Sequence, residues 1–365
     1  MSVLSAVSGV TGFVASETSW CDELPAAAEH CARTGQTLVV SSKNATHLAR
    51  HLAELHPTLD LMVDSRHWAS TVATPDNPTA ISDTLFDIDA WAESELSGSR
   101  IDRMLAPVRF IRLGDYASLR AQLDILGRAT HPRLVAHIAT DADVLRAKHL
   151  PGFVEVLEAS RVKRFAFQFA YKSYPLASYD RLNGLRRLLA RFPGSMLIGL
   201  DVPAGTDAIV HGAGWVGIGA SGGRRMERRP GDTGGGPRSA DYLPGTWLRA
   251  LMEMRTPTIY VDWYANSPTP TCPGCQRSLE SYETTSSDKT LLIKHNLHGI
   301  TDFAAEIMAV PEQDRAAWLN SERVEAFVRH AQLTGPGVSA DMTLRRLCEL
   351  DDPHLRETRQ SGAWK

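Results

Sequence analysis

"SMLIGLD", residues 195–201, is a short aliphatic run that ends in a carboxylate. A run that is apolar at nearly every position has no polar face, so it reads as a strand buried on both sides, the habit of parallel sheets. The same shape recurs at "GFVA" (12–15), "TLVVSS" (37–42), "LDLMVD" (59–64), "RLVAHIATD" (133–141), "KRFAFQF" (163–169), "GWVGIGA" (214–220) and "TIYVD" (258–262). Amphipathic segments such as "ATHLARHLAEL" (45–55), "YASLRAQLDILGRA" (116–129) and "YDRLNGLRRLLARF" (179–192) lie between them. Eight strands alternating with helices predict an α/β fold, a (β/α)8 TIM barrel. "VRFIRLG" (108–114) is a ninth candidate, either an edge hairpin or a replacement for one of the eight.

The totals fit that architecture. The chain has 365 residues, 43% of them hydrophobic and only 7% aromatic, enough for one large aliphatic core. With 39 Lys and Arg against 42 Asp and Glu, the net charge of −3 sets up no general attraction to polyanions, so a nucleic-acid site has to be a local patch. Five cysteines, Cys21, Cys31, Cys272, Cys275 and Cys348, are too few and too scattered for a disulfide framework. No basic segment precedes the apolar N-terminus, and no run reaches membrane-spanning length. A cytoplasmic protein without a membrane association is expected.

Beyond residue 295 the pattern is helical to about residue 349, with Ser or Thr opening "TDFAAEIMAV", "SERVEAFVRHAQL" and "SADMTLRRLCEL". The expected division is a catalytic barrel over 1–265 and a zinc-binding, helical C-terminal region over 266–365. The Gly-, Pro- and Arg-rich stretch 221–245 has no periodicity and reads as a long loop.

Four runs end in aspartate: Asp64, Asp141, Asp201 and Asp262. In a barrel, the residue just past a strand faces the active-site mouth. Each could equally cap the following helix. Four carboxylates on one rim suit a site that binds donors or does acid–base work, and a pair across a cleft suits chemistry at a sugar anomeric carbon. Behind Asp262, Cys272 and Cys275 have the C-x2-C spacing of a zinc knuckle, and His295 and His298 follow one helical turn apart. Cys272, Cys275 and His295 are read as zinc ligands, with His298 preferred as the fourth and Cys348 as the other choice. A redox pair would instead open a helix.

In this order the pieces resemble the tRNA-guanine transglycosylase superfamily over residues 37–300. "TLVVSSKNATHLAR" is similar to the family's strand with its Asn-Thr-x-His-Leu motif, which places Asn44 near the substrate. "LMVDSRHWAS" resembles its Thr-Asp-Ser-Gly-Gly-Phe-Gln segment, matching at Asp64 and Ser65, with Arg66, His67 and Trp68 in place of Gly-Gly-Phe. The resemblance implies an acid/base role for Asp64 and a substrate contact for Ser65. It implies base recognition by Gln168 of "FAFQFAY" and by Asp141 or Asp143, with Asp201 also at the substrate. "YVDW" is similar to the family's nucleophile strand, implying Asp262 as the covalent nucleophile. "CPGC…KHNL" resembles its zinc motif, with Pro270 where a first cysteine would stand.

The activity so implied is a transferase reaction of the pentosyltransferase type. Guanine in a nucleic acid is exchanged for a 7-deazaguanine base through a covalent Asp–nucleotide intermediate. A short gap before the zinc cysteines favours the branch that modifies DNA, with tRNA as the alternative substrate, and a homodimer is left open. Arg224, Arg225, Arg228, Arg229 and Arg238 in the long loop are the expected nucleic-acid contacts. Two rival classes remain at this point: a non-catalytic nucleic-acid-binding barrel, and an enzyme acting on a small glycoside.

Overall fold

The computed structural model describes residues 9–81, 87–232, 242–272 and 274–355. Nine parallel strand segments form a nearly closed barrel. They are β1 (Thr11–Ala15), β2 (Thr37–Ser41), β3 (Leu61–Asp64), β4 (Arg103–Leu105), β5 (Leu134–Val135), β6 (His137–Asp141), β7 (Ala166–Ala170), β8 (Met196–Leu200) and β9 (Trp215–Gly219). Their spatial order is β5-β4-β3-β2-β1-β9-β8-β7-β6. Since β5 and β6 are separated only by Ala136, they are two halves of one position, and the nine segments fill eight places around the ring. Helices α1 (Glu23–Thr34), α2 (Ala45–Leu55), α3 (Ile88–Leu96), α4 (Tyr116–Leu126), α5 (Leu150–Glu158), α6 (Tyr179–Arg191) and α7 (Val202–Val210) alternate with the strands.

The alternation of side chains along each strand sorts the barrel into an outer and an inner core. Phe13, Leu38, Leu61, Phe167, Leu197 and Val216 face the helices in one large cluster. Val14, Val39, Met62, Leu105, Ala166, Ile198 and Trp215 form a separate cluster that fills the barrel interior. Room for the indole of Trp215 comes from two missing side chains: a Cβ on Gly12 would lie 2.5 Å from its ring, and one on Gly217 would lie 2.7 Å from it.

Two sequence readings change here. "TIYVD" is not a strand. It lies in a helix of the C-terminal half, Pro257–Trp263, which opens on Thr256 with Pro257 in its first turn. Proline fixes a helical φ there and lacks only an N–H that a first turn leaves unbonded. Tyr260 and Trp263, three residues apart, bury together beside Leu248, Leu251 and Leu279. The place in the ring goes instead to β4, whose "RML" pairs with Met62 and Val63 on one side and with Leu134 and Val135 on the other. "VRFIRLG" crosses outside this seam by isolated bridges, Val72 to Phe110, Thr79 to Val108 and Ile111 to Thr140.

After β9 come a single turn, α8 (Gly222–Arg225), an antiparallel hairpin of β10 (Thr246–Leu248) and β11 (Glu253–Arg255), then α9 (Pro257–Trp263), α10 (Ser286–Ala309), α11 (Arg315–Gln332) and α12 (Met342–Asp351). Helix α10 lies on α1, where Thr301 Oγ1 donates to Gln36 Oε1 at 2.8 Å and meets His30 Nε2 at 2.9 Å. Its Asn296 side chain brackets the hairpin, accepting from Trp247 N and donating to Gly245 O, both at 2.7 Å. Helices α11 and α12 are tied to the barrel by buried ion pairs, Arg323 to Asp207 at 2.9 Å and to Asp351 at 3.0 Å. Among the described residues, no helix is long and apolar enough to cross a membrane.

Candidate functional site

Two residues further along the strands from the apolar layer, the inner face of the barrel turns polar. That step takes Val39 to Ser41, Met62 to Asp64, Val135 to His137 and Ala166 to Gln168. Asp64 is 2% exposed. Three donors surround its carboxylate: Ser41 Oγ at 2.8 Å, Arg66 N at 2.8 Å and Trp68 Nε1 at 3.5 Å. Gln168 and His137 are fully buried, and among the described residues neither the amide nor the imidazole has a hydrogen-bond partner. The Gln168 amide and the Ala106 backbone lie near the His137 ring without forming a bond of good geometry. Burial pushes the His137 pKa below its ordinary value, against the pull of Asp64, so the ring is neutral at physiological pH.

Over this floor sits the arginine-rich segment. Its described part here is residues 221–232. A Cβ on Gly219 would stand 2.4 Å from the carbonyl carbon of Arg224, and one on Gly199, whose φ is +74°, would stand 3.0 Å from the Arg224 oxygen. The backbone of α8 thus rests directly on two glycines near the ends of β8 and β9. That seating carries Glu227 into the mouth, where it is 2% exposed. Arg66 holds it with both terminal nitrogens, at 2.7 and 3.0 Å, and Arg224 approaches it at 3.3 Å. Arg66 also reaches Ser41 Oγ at 3.4 Å, so one arginine links the carboxylates of residues 64 and 227. At the rim, Arg229 pairs with Asp141 at 2.8 Å and stacks over Tyr171, whose other cationic neighbour, Arg181, pairs with Asp143. Burial raises the Asp141 pKa, and Arg229 works against that shift.

Of the residues singled out in the sequence, Asp64, Gln168 and Asp141 therefore share one mouth, with Ser65 partly buried beside Asp64. Asn44 is exposed and accepts from Ser42 Oγ at 2.8 Å. Asp201 caps α7 through Ala204 N at 2.8 Å and belongs to a neighbouring cavity. Asp262 does not face Asp64 across the mouth. It is exposed in the last turn of α9, because α9 buries Tyr260 and Trp263 instead. The arginines are also redistributed: Arg224, Arg225 and Arg229 turn inward to protein partners, Arg228 is exposed, and Arg238 lies outside the described residues. Sequence reading misses Glu227, Tyr171 and His137, and gives Arg66 no role. His137 alone carries a signal, an imidazole inside an otherwise apolar strand.

A second cluster lies at the hairpin. Ligand atoms of Cys272, Cys275, His295 and His298 all fall within 4.8 Å of one another, so the four could hold a metal ion. Cys272 Sγ lies 3.5 Å from His298 Nε2, and Cys275 Sγ lies 3.4 Å from His295 Nδ1. The cysteine turn closes through Gln276 N to Cys272 O at 2.9 Å, and the two histidines are adjacent on one face of α10. Outer partners fix the rings: His295 Nε2 bonds Trp247 O at 2.9 Å, and His298 Nδ1 faces Asp302 at 3.7 Å. Burial opposes ionisation of Cys272, yet bonds from His295 and His298 pull its pKa down to about 4. Cys348 is buried in α12 and takes no part in this cluster.

No family model matches the chain, and no curated protein matches it in sequence.

Proposed function

We propose that the chain is a guanine transglycosylase acting on nucleic acid, with the reaction centred on Asp64 and Glu227 and not on Asp262. The observation that carries this reading is a pair of buried carboxylates joined through Arg66, above an unpartnered amide and imidazole. Two carboxylates at one site suit chemistry at an anomeric carbon. A buried amide and a neutral imidazole suit the edge of a heterocycle, since each offers donors and acceptors that take no hydrogen bond among the described residues.

A nucleotide phosphate at Arg66 and Arg224 replaces the carboxylate that now neutralises them and releases Glu227. Glu227 attacks C1′, and the bond to guanine N9 breaks with its electron pair on the base. The departing guanine takes up a proton at N9 from water, and the Asp64 carboxylate accepts the N9 proton of the incoming 7-deazaguanine and returns it to solvent. The incoming nitrogen then attacks C1′ and frees the carboxylate of Glu227. A base within a duplex has to leave the stack to reach the barrel floor. The DNA branch is the expected substrate class, on the resemblance. For the metal, two thiolates and two imidazoles are the donor set of closed, tetrahedral zinc. Such an ion would staple the cysteine turn to α10.

Trapping on denaturing gels tests the reading. Protein incubated with DNA or with tRNA is denatured and inspected for a covalent protein–nucleic acid band. We expect the band with DNA, its loss in Glu227→Gln, failure of base exchange in Asp64→Asn, and no change in Asp262→Ala. A band that survives Glu227→Gln and vanishes in Asp262→Ala would refute the assignment. A band with tRNA alone would move the substrate to RNA.

A further inference from the structure

Beside the barrel floor, on the other face of the 221–229 segment, lies a cavity of about 250 Å³. Arg224 and Glu227 face the floor, whereas Arg225 and Met226 line this cavity. Its walls come from the end of β8, α8, the hairpin, α9 and the start of α12. Three polar groups there keep bonding capacity unused among the described residues. Arg225 is 7% exposed, yet among the described residues its one hydrogen-bond partner is the thioether of Met254, a weak acceptor for a buried cation. Tyr174, 38% exposed, also lines the cavity, and its hydroxyl makes no hydrogen bond among the described residues. Asp341 uses one oxygen to cap α12 through Thr343 N at 2.7 Å, and among the described residues its other oxygen takes no bond. Asp201 stands beside it, tied to Thr343 Oγ1 at 3.2 Å. The other charged groups of the lining, Glu253 and Arg255, already pair with each other, and Glu253 also takes His330 at 2.6 Å.

The charges of Asp201 and Glu23 act on Arg225 without hydrogen-bonding it, so its guanidinium keeps N–H donors for an oxyanion. Two neighbouring carboxylates, one with a free oxygen, call for N–H donors carrying positive charge. Between the poles the lining is apolar, with Val202, Pro203, Met226, Met254 and Ile259. An anion alone would bring further negative charge toward Asp201 and Asp341, and a cation alone would leave the N–H donors of Arg225 unused.

We infer that this cavity binds a small zwitterion of the α-amino-acid type. The carboxylate lies at Arg225 and the Tyr174 hydroxyl, the ammonium at Asp341 and Asp201, and an apolar side chain lies along Met226, Met254 and Ile259. The site is separate from the barrel floor and does not depend on the transglycosylase reading. Arg225 closes the turn Gly222–Arg225, and Glu227 follows it by two residues, so occupancy bears directly on the segment that carries Glu227.

Isothermal titration calorimetry on the full chain tests the site. The free proteinogenic amino acids are titrated first, then the decarboxylated amine and the deaminated acid of whichever binds best, and guanine alongside. We expect at least one apolar amino acid to bind, with both truncated forms weaker by roughly tenfold or more. Arg225→Met and Asp341→Asn should each lose a similar factor while keeping a cooperative thermal transition and the metal content of the parent. No binding by any amino acid, equal binding by Arg225→Met, or preference for guanine over every amino acid would each overturn the assignment.

Discussion

Ser41 and Asp64 are register partners across β2 and β3, and Ser41 Oγ donates to Asp64 Oδ2 at 2.8 Å. The hydroxyl also receives Arg66, so it sits at the junction of both carboxylates in the mouth. Ser41→Ala removes one of three donors around a carboxylate that is almost wholly buried. We expect a loss of about 1–3 kcal/mol in unfolding free energy, the cost of leaving a buried acceptor short of a donor. Urea denaturation reads it directly, and an unchanged midpoint would show that Asp64 does not rely on Ser41.

Gly219→Ala tests whether the arginine-rich segment is seated as described. The new methyl would stand 2.4 Å from the Arg224 carbonyl carbon, and backbone cannot swing aside as a side chain can. The segment has to lift, and Glu227 moves with it. Overpacking of this kind costs about 1–3 kcal/mol. Proteolysis should then cut within 222–230 faster than in the parent chain. Equal cleavage rates would contradict the seating.

Asp207 and Arg323 form a pair in which each side chain is 1% exposed, and Arg186 shares the same carboxylate at 2.7 Å. Asp207→Ala leaves Arg186 and Arg323 with Asp351 as their shared carboxylate. The expected destabilisation is about 3–5 kcal/mol, since two buried cations are then left to a single carboxylate. Asp207→Asn should cost less, because the amide still offers an oxygen acceptor. Thermal unfolding of the two variants gives the comparison, and equal melting temperatures would argue that the charge is immaterial.

The barrel is legible in the sequence because strands buried on both faces are written as apolar runs, such as "TLVVS" and "MLIGL". β4 is not, since three residues carry no period. "TIYVD" shows the converse failure: five apolar-rich residues fit a strand or one helical turn equally, and only Pro257 after Thr256 distinguishes them. The metal cluster is legible because its ligands come from two local patterns, a C-x2-C turn and a pair of histidines three apart on one helix. Glu227 is not. Its position depends on a chain reversal over Gly199 and Gly219, a long-range fit with no local signature.

Asp201 supplies a pH dependence. Burial, with the charge of Asp341 next, raises its pKa to about 6 in the folded chain. The unfolded value is about 3.9. The folded state therefore holds the proton more tightly, so this group favours folding below about pH 4 and loses that contribution as pH rises through about 6. Asp201→Asn keeps a capping oxygen for Ala204 N and removes the charge. The variant should match the parent near pH 4 and be the more stable of the two at pH 8. Unfolding curves at both values measure it, and a variant that is less stable at pH 8 would refute the sign.

Gly274 and His298 decide how tightly the metal cluster closes. A Cβ at Gly274 would lie 2.5 Å from the His298 ring, so no other residue fits there with the imidazole in place. Gly274→Ala should push His298 off the cluster while leaving Cys272, Cys275 and His295 intact. Cys275→Ser should act more severely, because the hydroxyl is a poor replacement for a thiolate. Since binding of the ion is coupled to folding of the segment it ties down, metal loss and thermal destabilisation should appear together, larger in Cys275→Ser than in Gly274→Ala. Elemental analysis by mass spectrometry, paired with melting curves before and after chelation, tests this. A chelator that strips the metal without lowering the melting temperature would show that the ion is not a staple, and a metal content unchanged in Cys275→Ser would remove that cysteine from the ligand set.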